Sequence, residues 1–186
     1  MSDFLDTVSG SRTSVSSVTN RYIVGPTIGV SLPFHLGIEF DALYRRFSYS
    51  SSANLVDSIV NSRTTSSAWE FPLLIKKSFG EGPLRPFVGA GVNFSKLSGL
   101  SQTVQSVIFP SRSLTTNNGN PAELRDDFAK GFVLGAGLDF HVPLLHISPE
   151  IRYTRWGSQQ FNGIIPSGAT VSSNQNQAEF LVGFTF

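Results

Sequence analysis

Phe132-Val-Leu-Gly-Ala-Gly-Leu-Asp-Phe140 is the stretch of the sequence that decides the fold. Its even-numbered positions are apolar and mostly large, whereas its odd-numbered positions include two glycines and Asp139. Alternation with a period of two indicates a β-strand, because successive side chains of a strand point to opposite faces. One face of this strand therefore meets an apolar environment. The other face carries a charge, and its glycines leave space for neighbouring side chains.

The same alternation recurs in six further segments, at 22–32, 34–45, 69–76, 88–95, 145–153 and 177–186. These segments are longer than the roughly 5 or 6 residues that are usual for a strand in a soluble sheet. Their length suits a strand that crosses a bilayer at a tilt, which needs about 9 to 11 residues. One parity is rich in Phe and Leu, as lipid requires, and the other carries glycine and charges of both signs, as a narrow barrel interior requires. We predict an all-β, antiparallel up-and-down transmembrane β-barrel of the eight-stranded type, with seven strands evident in this chain.

The connections between the segments predict an orientation in the membrane. Tight turns at 32–33, at 80–83 and around Pro143 alternate with long stretches rich in Ser, Thr and Asn at 50–66, 99–127 and 158–175. Outer-membrane barrels have short periplasmic turns and long extracellular loops. We therefore expect the bacterial outer membrane as the location and the three long stretches as extracellular loops. Aromatic residues near the segment ends predict interfacial girdles: Tyr22, Tyr44, Trp69, Tyr153 and Trp156 at one rim, and Phe34, Phe79 and Phe186 at the other.

The N-terminal region departs from this pattern. Residues 1–21 are rich in Ser and Thr without sustained alternation, so we expect an extracellular loop or a remnant segment there and the barrel at 22–186. The first residues also lack the basic and apolar regions of a signal peptide. Because single-chain bacterial barrels have an even number of strands, we expect that the first strand and the signal peptide are absent from this chain. The edges at 22–32 and 176–186 would then meet across a gap or pair imperfectly.

The composition excludes several classes of function. Charged residues make up 15% of the 186 residues and the net charge is +1, so nothing favours a nucleic-acid partner. The chain has no cysteine, which excludes disulfides and thiolate metal sites. We expect no cofactor and no metal.

Charged residues on the inward parity are the candidate functional residues. The interior of an eight-stranded barrel is only wide enough to be filled by side chains, and an unpaired buried ion costs several kcal/mol. We therefore predict an ion-pair network that plugs the lumen, with a proton path or narrow ion leak as the alternative. Its members are Glu39, Asp41, Arg45, Glu70, Lys76, Asp139, Glu150, Arg152 and Glu179.

The histidines argue against an enzyme. Outer-membrane barrel hydrolases place histidine, serine and acids near the outer rim, where a Ser–His–acid set must meet at one depth. His35, His141 and His146 instead fall near the predicted periplasmic turns. We expect no catalytic residues.

A set of short phrases resembles the OmpA/OmpX-like outer-membrane β-barrel families over about residues 20–186. The phrases are Arg21-Tyr-Ile-Val-Gly-Pro-Thr-Ile-Gly-Val, Phe40-Asp-Ala-Leu-Tyr-Arg-Arg, Trp69-Glu-Phe-Pro-Leu-Leu-Ile-Lys, Arg85-Pro-Phe-Val-Gly-Ala-Gly and Pro149-Glu-Ile-Arg-Tyr-Thr-Arg-Trp. The terminal residues Phe180, Val182, Phe184 and Phe186 are similar to the C-terminal signal that the barrel-assembly machinery reads. The resemblance implies that this machinery is a partner during insertion.

The sequence favours a structural or surface-interaction barrel that presents long extracellular loops to an unidentified surface partner. A small channel or transporter is the alternative, and a soluble lipid-binding barrel is a third possibility. Outer-membrane lipid is the expected environment. Lipopolysaccharide phosphates are a further candidate partner for the basic residues on the long-loop side, Arg45, Arg46, Arg152 and Arg155, of which Arg46 and Arg155 lie on the outward parity.

Overall fold

The computed structural model of the chain describes residues 5–8, 13–19, 22–54, 58–108, 113–119, 127–142, 145–160, 162–164 and 170–185. These residues form strands, turns and bends, with no helix among them. The strands are β1 Leu5–Val8, β2 Thr13–Thr19, β3 Thr27–Leu32, β4 Leu36–Asp41, β5 Leu43–Asn54, β6 Ser58–Ser78, β7 Leu84–Ile108, β8 Ser113–Gly119, β9 Phe128–Val142, β10 Leu145–Trp156, β11 Asn162–Ile164, β12 Thr170–Ser173 and β13 Asn176–Thr185.

The main sheet is an antiparallel meander. Its strand order is β13-β10-β9-β7-β6-β4-β3, so strands that follow one another in the chain lie side by side. β5 continues the line of β4 along β6, β2 pairs with β5, and β8 pairs with the far part of β7. The predicted fold class, an all-β antiparallel up-and-down sheet of the outer-membrane barrel type, is confirmed. β3 and β13 form the two edges of this sheet, which is not closed.

The two ends of the sheet differ. At one end, which we call the turn end, residues 33–35 join β3 to β4 and residues 79–83 join β6 to β7. Phe34 and His35 both adopt positive φ in the first of these turns, at 65° and 59°. The predicted turn at Pro143 lies outside the described residues. The opposite end, where β5, β6 and β7 extend furthest, is called the long-strand end.

The two faces of the sheet follow the predicted parities. Large apolar side chains are exposed on the outer face, among them Phe132, Leu134, Leu138, Phe140, Phe180, Val182 and Phe184. Glu70, Glu150 and Arg152 are buried on the inner face, and Glu39 and Asp139 are half-buried there. This arrangement suits a protein whose outer face contacts lipid, because the exposed apolar side chains of that face would then meet lipid rather than water.

The three long stretches rich in Ser, Thr and Asn are not simply loops. Residues 50–54 and 58–66 belong to the hairpin of β5 and β6, and residues 99–108 continue β7 and pair with β6. The expectation of loops was therefore wrong for most of the first two stretches. Ladder hydrogen bonds form between backbones, so a strand whose two faces are both polar needs no apolar alternation.

Strands also occur within residues 1–21, where an extracellular loop or a remnant segment was expected. β2 extends the line of β3 and pairs with β5, from Thr13 opposite Ala53 to Thr19 opposite Phe47. β1 pairs with β12 in a separate small sheet that also contains β11. Neither strand lies between β3 and β13 as a regular eighth strand.

A β-bulge interrupts the pairing of β6 with β7. The register shifts between Thr65 and Ser67, and Gly99 on the opposite strand has a φ of 61°. Leu97 faces inward before the bulge and Gln102 faces inward after it, so the inward parity of β7 changes from odd to even. The bulge lies at the boundary between the apolar and the polar part of the sheet.

An aromatic row marks the outer face near this boundary. The Tyr44 and Trp69 rings are 5.0 Å apart, and Trp69 stacks at 6.3 Å on Phe71. Trp156, which was expected in the same girdle, instead faces inward and is 6% exposed. Its position is even-numbered on a strand whose even positions all face the interior.

Candidate functional site

The inner face of the sheet carries a group of charges that we call the Arg152 cluster. It comprises Arg152 and Glu150 of β10, Glu39 and Asp41 of β4, and Lys76 of β6. Arg152 contacts Glu150 at 2.8 Å, Glu39 at 2.6 Å, and Asp41. Lys76 Nζ lies 2.6 Å from Glu39 and 2.8 Å from Glu150. Both cations therefore bridge β10 to β4, two strands that lie near opposite ends of the sheet order.

The cluster is buried and nearly neutral. The Arg152 and Asp41 side chains are 5% and 1% exposed. Three carboxylates face two cations, so the formal charge is −1 if all are ionised. Asp41 Oδ1 has no hydrogen-bond partner among the described residues. Lys76 also lies 4.5 Å from the centre of the Phe87 ring, an arrangement that favours the cation.

Nearer the long-strand end lies a second group, the Arg45 cluster, formed by Arg45, Glu70, Glu179, Gln177 and Asn93. Arg45 Nη2 lies 2.6 Å from Glu70 Oε1, and Nη1 lies 3.7 Å from Glu179. The Gln177 amide accepts from Arg45 at 3.0 Å and donates to Glu179 at 2.7 Å. Asn93 donates to Glu70 at 3.1 Å. This cluster joins β5 and β6 to the edge strand β13.

Glycines on the inner face make room for these clusters. A Cβ at Gly135 would lie 2.2 Å from the Glu150 carboxylate, and one at Gly131 would lie 2.9 Å from the Trp156 ring. At Gly89 it would lie 3.2 Å from Lys76. A side chain at Gly135 or Gly131 therefore requires movement of a buried group.

The predicted network residues fall into these two clusters and one further contact. Asp139 lies on the inner face nearer the turn end, where it accepts a 3.0 Å hydrogen bond from Ser148. The predicted list did not include Gln177, which binds Arg45, Glu70, Glu179 and Trp156. The sequence places Gln177 on the inward parity, but nothing in an uncharged amide indicates that it hydrogen-bonds several buried residues.

The predicted assembly-signal residues lie on the outer face. Phe180, Val182 and Phe184 are exposed at the edge strand β13. Phe186 lies outside the described residues. None of these side chains contributes to either cluster.

The described residues contain no group of three or more His, Cys, Asp or Glu side chains placed to hold a metal ion. Within the same residues there is no helix long and apolar enough to cross a membrane.

Comparison with known families identifies the chain. Residues 1–157 match the family described as the outer membrane protein beta-barrel domain. The chain belongs to this family. The outer membrane protein beta-barrel domain implies location in the outer membrane, so the exposed apolar face is the surface that meets lipid. No curated protein matches the chain.

Proposed function

We propose that the protein is a structural and surface-interaction barrel. In this proposal its lumen is plugged by ion-paired side chains, and its long-strand end stands outside the cell. The polar ends of the strands and the segments that connect them would then present a binding surface. The observation that carries the proposal is the length of β6 and β7, which span 21 and 25 residues.

These strands are longer than the roughly 9 to 11 residues that a tilted strand needs to cross a bilayer. Beyond Trp69 the outward positions of β6 become polar, at Ser67, Thr65 and Arg63. On β7 the strand continues from Phe94 to Ile108, which corresponds to about 45 Å along the strand and ~35 Å along the membrane normal at a tilt near 40°. A paired sheet of that length supports a rigid projection rather than a set of independent loops.

The ion-pair clusters support the plugged lumen. The Arg152 cluster links β10 to β4, and the Arg45 cluster links β5 to β13, so two layers of bonded side chains cross the interior at different depths. An interior of this width is filled by side chains in eight-stranded barrels. Such a barrel would hold a surface projection in the membrane and would not conduct ions.

A small channel or transporter is the second candidate. A cavity of about 570 Å³ opens between β3 and β13 and is bordered by Glu39, Asp41, Lys76 and Arg152. A wet path past these charges would pass ions. Planar-bilayer recording separates the two functions, because the plugged barrel gives the baseline of a lipid-only bilayer. Steady single-channel steps would overturn the plugged lumen.

We further propose that the barrel has no catalytic function. The three histidines of the chain all lie toward the turn end, with His35 in a turn and His141 opposite His146 in the sheet. Ser–His–acid chemistry on outer-leaflet lipid would need a histidine at the other end. Hydrolysis of phospholipid or peptide by the purified, folded protein would contradict the proposal.

The orientation is tested with single cysteines, because the chain has none of its own. Ser52→Cys and Gln105→Cys, at the long-strand end, should react with a membrane-impermeant maleimide on intact bacteria. Glu81→Cys, in the turn between β6 and β7, is the matched control and should react only after the cells are lysed. The reverse pattern would place the long-strand end in the periplasm and refute the proposal.

The display function is tested by shortening one hairpin. Tyr49 and Thr64 are opposite partners in β5 and β6, so removal of residues 50–63 leaves a pair that a short turn can join. Pull-downs with the intact and shortened proteins should then retain different surface components. Identical sets would indicate that this projection presents no binding surface.

A further inference from the structure

Four cations point outward at the long-strand edge of the aromatic residues of the outer face; on β9 the cation lies between Phe132 and Phe128, which is also exposed. We call these four residues the basic belt: Arg46, Lys96, Lys130 and Arg155. Each is exposed and lies on the lipid-facing parity of its strand. Each also lies two residues further toward the long-strand end than an aromatic residue of the same face, namely Tyr44, Phe94, Phe132 and Tyr153 respectively. The same step thus repeats on β5, β7, β9 and β10.

The belt has no acidic counterpart on its own face. Within the strands from β4 to β13 the described carboxylates all lie on the inward parity, whereas Glu81 and Asp127 stand outside the strands: the six within them are Glu39, Asp41, Glu70, Asp139, Glu150 and Glu179. Arg155 donates a hydrogen bond to the neutral side chain of Asn176. Carboxylates are thus inside and these cations outside, so the outer face is left with positive charge to be neutralised by something other than these strands.

The position of the belt indicates what neutralises it. Aromatic girdles lie at the level of the lipid headgroups. Two residues further along a tilted strand correspond to about 7 Å of strand, or ~5 Å along the membrane normal. Lys and Arg at that depth meet lipid phosphates, with which they form charge-assisted hydrogen bonds. The belt is also continuous with the apolar face that contacts the lipid tails.

We propose that the basic belt is a binding site for the phosphate groups of lipopolysaccharide in the outer leaflet. The proposal rests on the orientation given under the proposed function, with the long-strand end outside. It adds Lys96 and Lys130 to the two outward arginines evident in the sequence. It also assigns Arg45 and Arg152 to the lumen rather than to lipid, because both are buried among carboxylates.

The test compares two double variants of the purified protein in detergent. Lys96→Gln with Lys130→Gln removes two charges from the belt, and Arg63→Gln with Lys77→Gln removes the same charge elsewhere. Native mass spectrometry measures binding of diphosphorylated lipid A and of its dephosphorylated form. A cation near an anionic lipid surface contributes about fivefold to affinity, so the belt variant should bind the diphosphorylated form roughly 30-fold more weakly. The control variant should stay within twofold of the unaltered protein.

A rescue variant, a folding control and the dephosphorylated lipid complete the test. Lys96→Arg with Lys130→Arg should restore binding, because the charge and the donors return. Both double variants must keep the heat-dependent gel mobility of a folded barrel; if the glutamine variant does not, the same titration is made with each single substitution. Equal binding of the dephosphorylated lipid, or equal weakening by the control variant, would overturn the proposal. Detergent removes the dependence on orientation, so this result stands apart from the cysteine labelling.

Discussion

Arg45→Met is the substitution that most directly tests whether the buried charges depend on one another. Arg45 Nη2 lies 2.6 Å from Glu70, whose side chain is fully buried. At an effective dielectric constant near 20 the attraction over this distance is about 6 kcal/mol before desolvation is counted. Loss of the guanidinium leaves Glu70 and Glu179 with only amide donors. Because breaking a buried pair costs about 3–5 kcal/mol, we expect a loss of that size in the free energy of unfolding.

The second substitution of the cycle is Glu70→Gln. The glutamine keeps an oxygen that can accept from Asn93 but removes the orphaned charge. The double variant should therefore be about 2 kcal/mol more stable than Arg45→Met alone, although it carries one more change. Urea unfolding in lipid vesicles measures all four proteins, with tryptophan fluorescence as the signal. Trp156 lies beside the cluster, where its Nε1 donates to Gln177 at 2.9 Å.

The result that refutes this reasoning is additivity. If the two changes add to within about 0.5 kcal/mol, Arg45 and Glu70 do not stabilise each other and the cluster is a set of independent residues. A loss below about 1 kcal/mol for Arg45→Met would instead indicate that water reaches Glu70 and replaces the lost donor.

Three further substitutions test the packing, the lipid face and the turn. Gly135→Ala places a Cβ 2.2 Å from the Glu150 carboxylate, so urea unfolding should give a loss of about 1–3 kcal/mol. Leu134→Arg, on the lipid face, should lower stability by about 2–4 kcal/mol in vesicles, whereas Ser98→Arg beyond the girdle should cost ~1 kcal/mol or less; equal losses would mean that Leu134 does not meet lipid. His35→Gly removes a side chain from a residue with a φ of 59°, and the variant should be more stable by about 1 kcal/mol; an unchanged urea midpoint would indicate that the turn is not strained.

The membrane part of the fold was predictable because one physical constraint acts on every second residue. Lipid requires apolar side chains on one parity, and a narrow interior requires glycine or paired charge on the other, so Phe132 and Glu150 each identify their own face. The sequence does not show which charged residues pair with one another. Arg152 and Asp41 are 111 positions apart, and only the curvature of the sheet brings them together.

At the long-strand end the sequence does not reveal the strands, for a physical reason. Ser52 and Asn61 are paired in the sheet, but both faces of that hairpin meet a polar environment and no alternation marks it. The hydrogen bonds that hold the hairpin are made by the backbone and leave little trace in the sequence. Trp156 shows a different limit, because an aromatic residue at a strand end suits a girdle and a lumen equally. Its parity, rather than its residue type, identifies its face.

The bulge that β7 forms at Gly99, opposite Thr65 and Ser67, has a consequence for changes in strand length. In an uninterrupted strand of 25 residues, an insertion of one residue near the tip could propagate as a register slip and turn every side chain of β7 to the other face. The bulge, on β7 around Gly99, already accommodates an unmatched residue at the boundary of the apolar part. Length changes at the long-strand end can therefore be absorbed before they reach Phe94 and Val92. A change in length at the long-strand end can thus leave the inward and outward faces of the apolar part as they are.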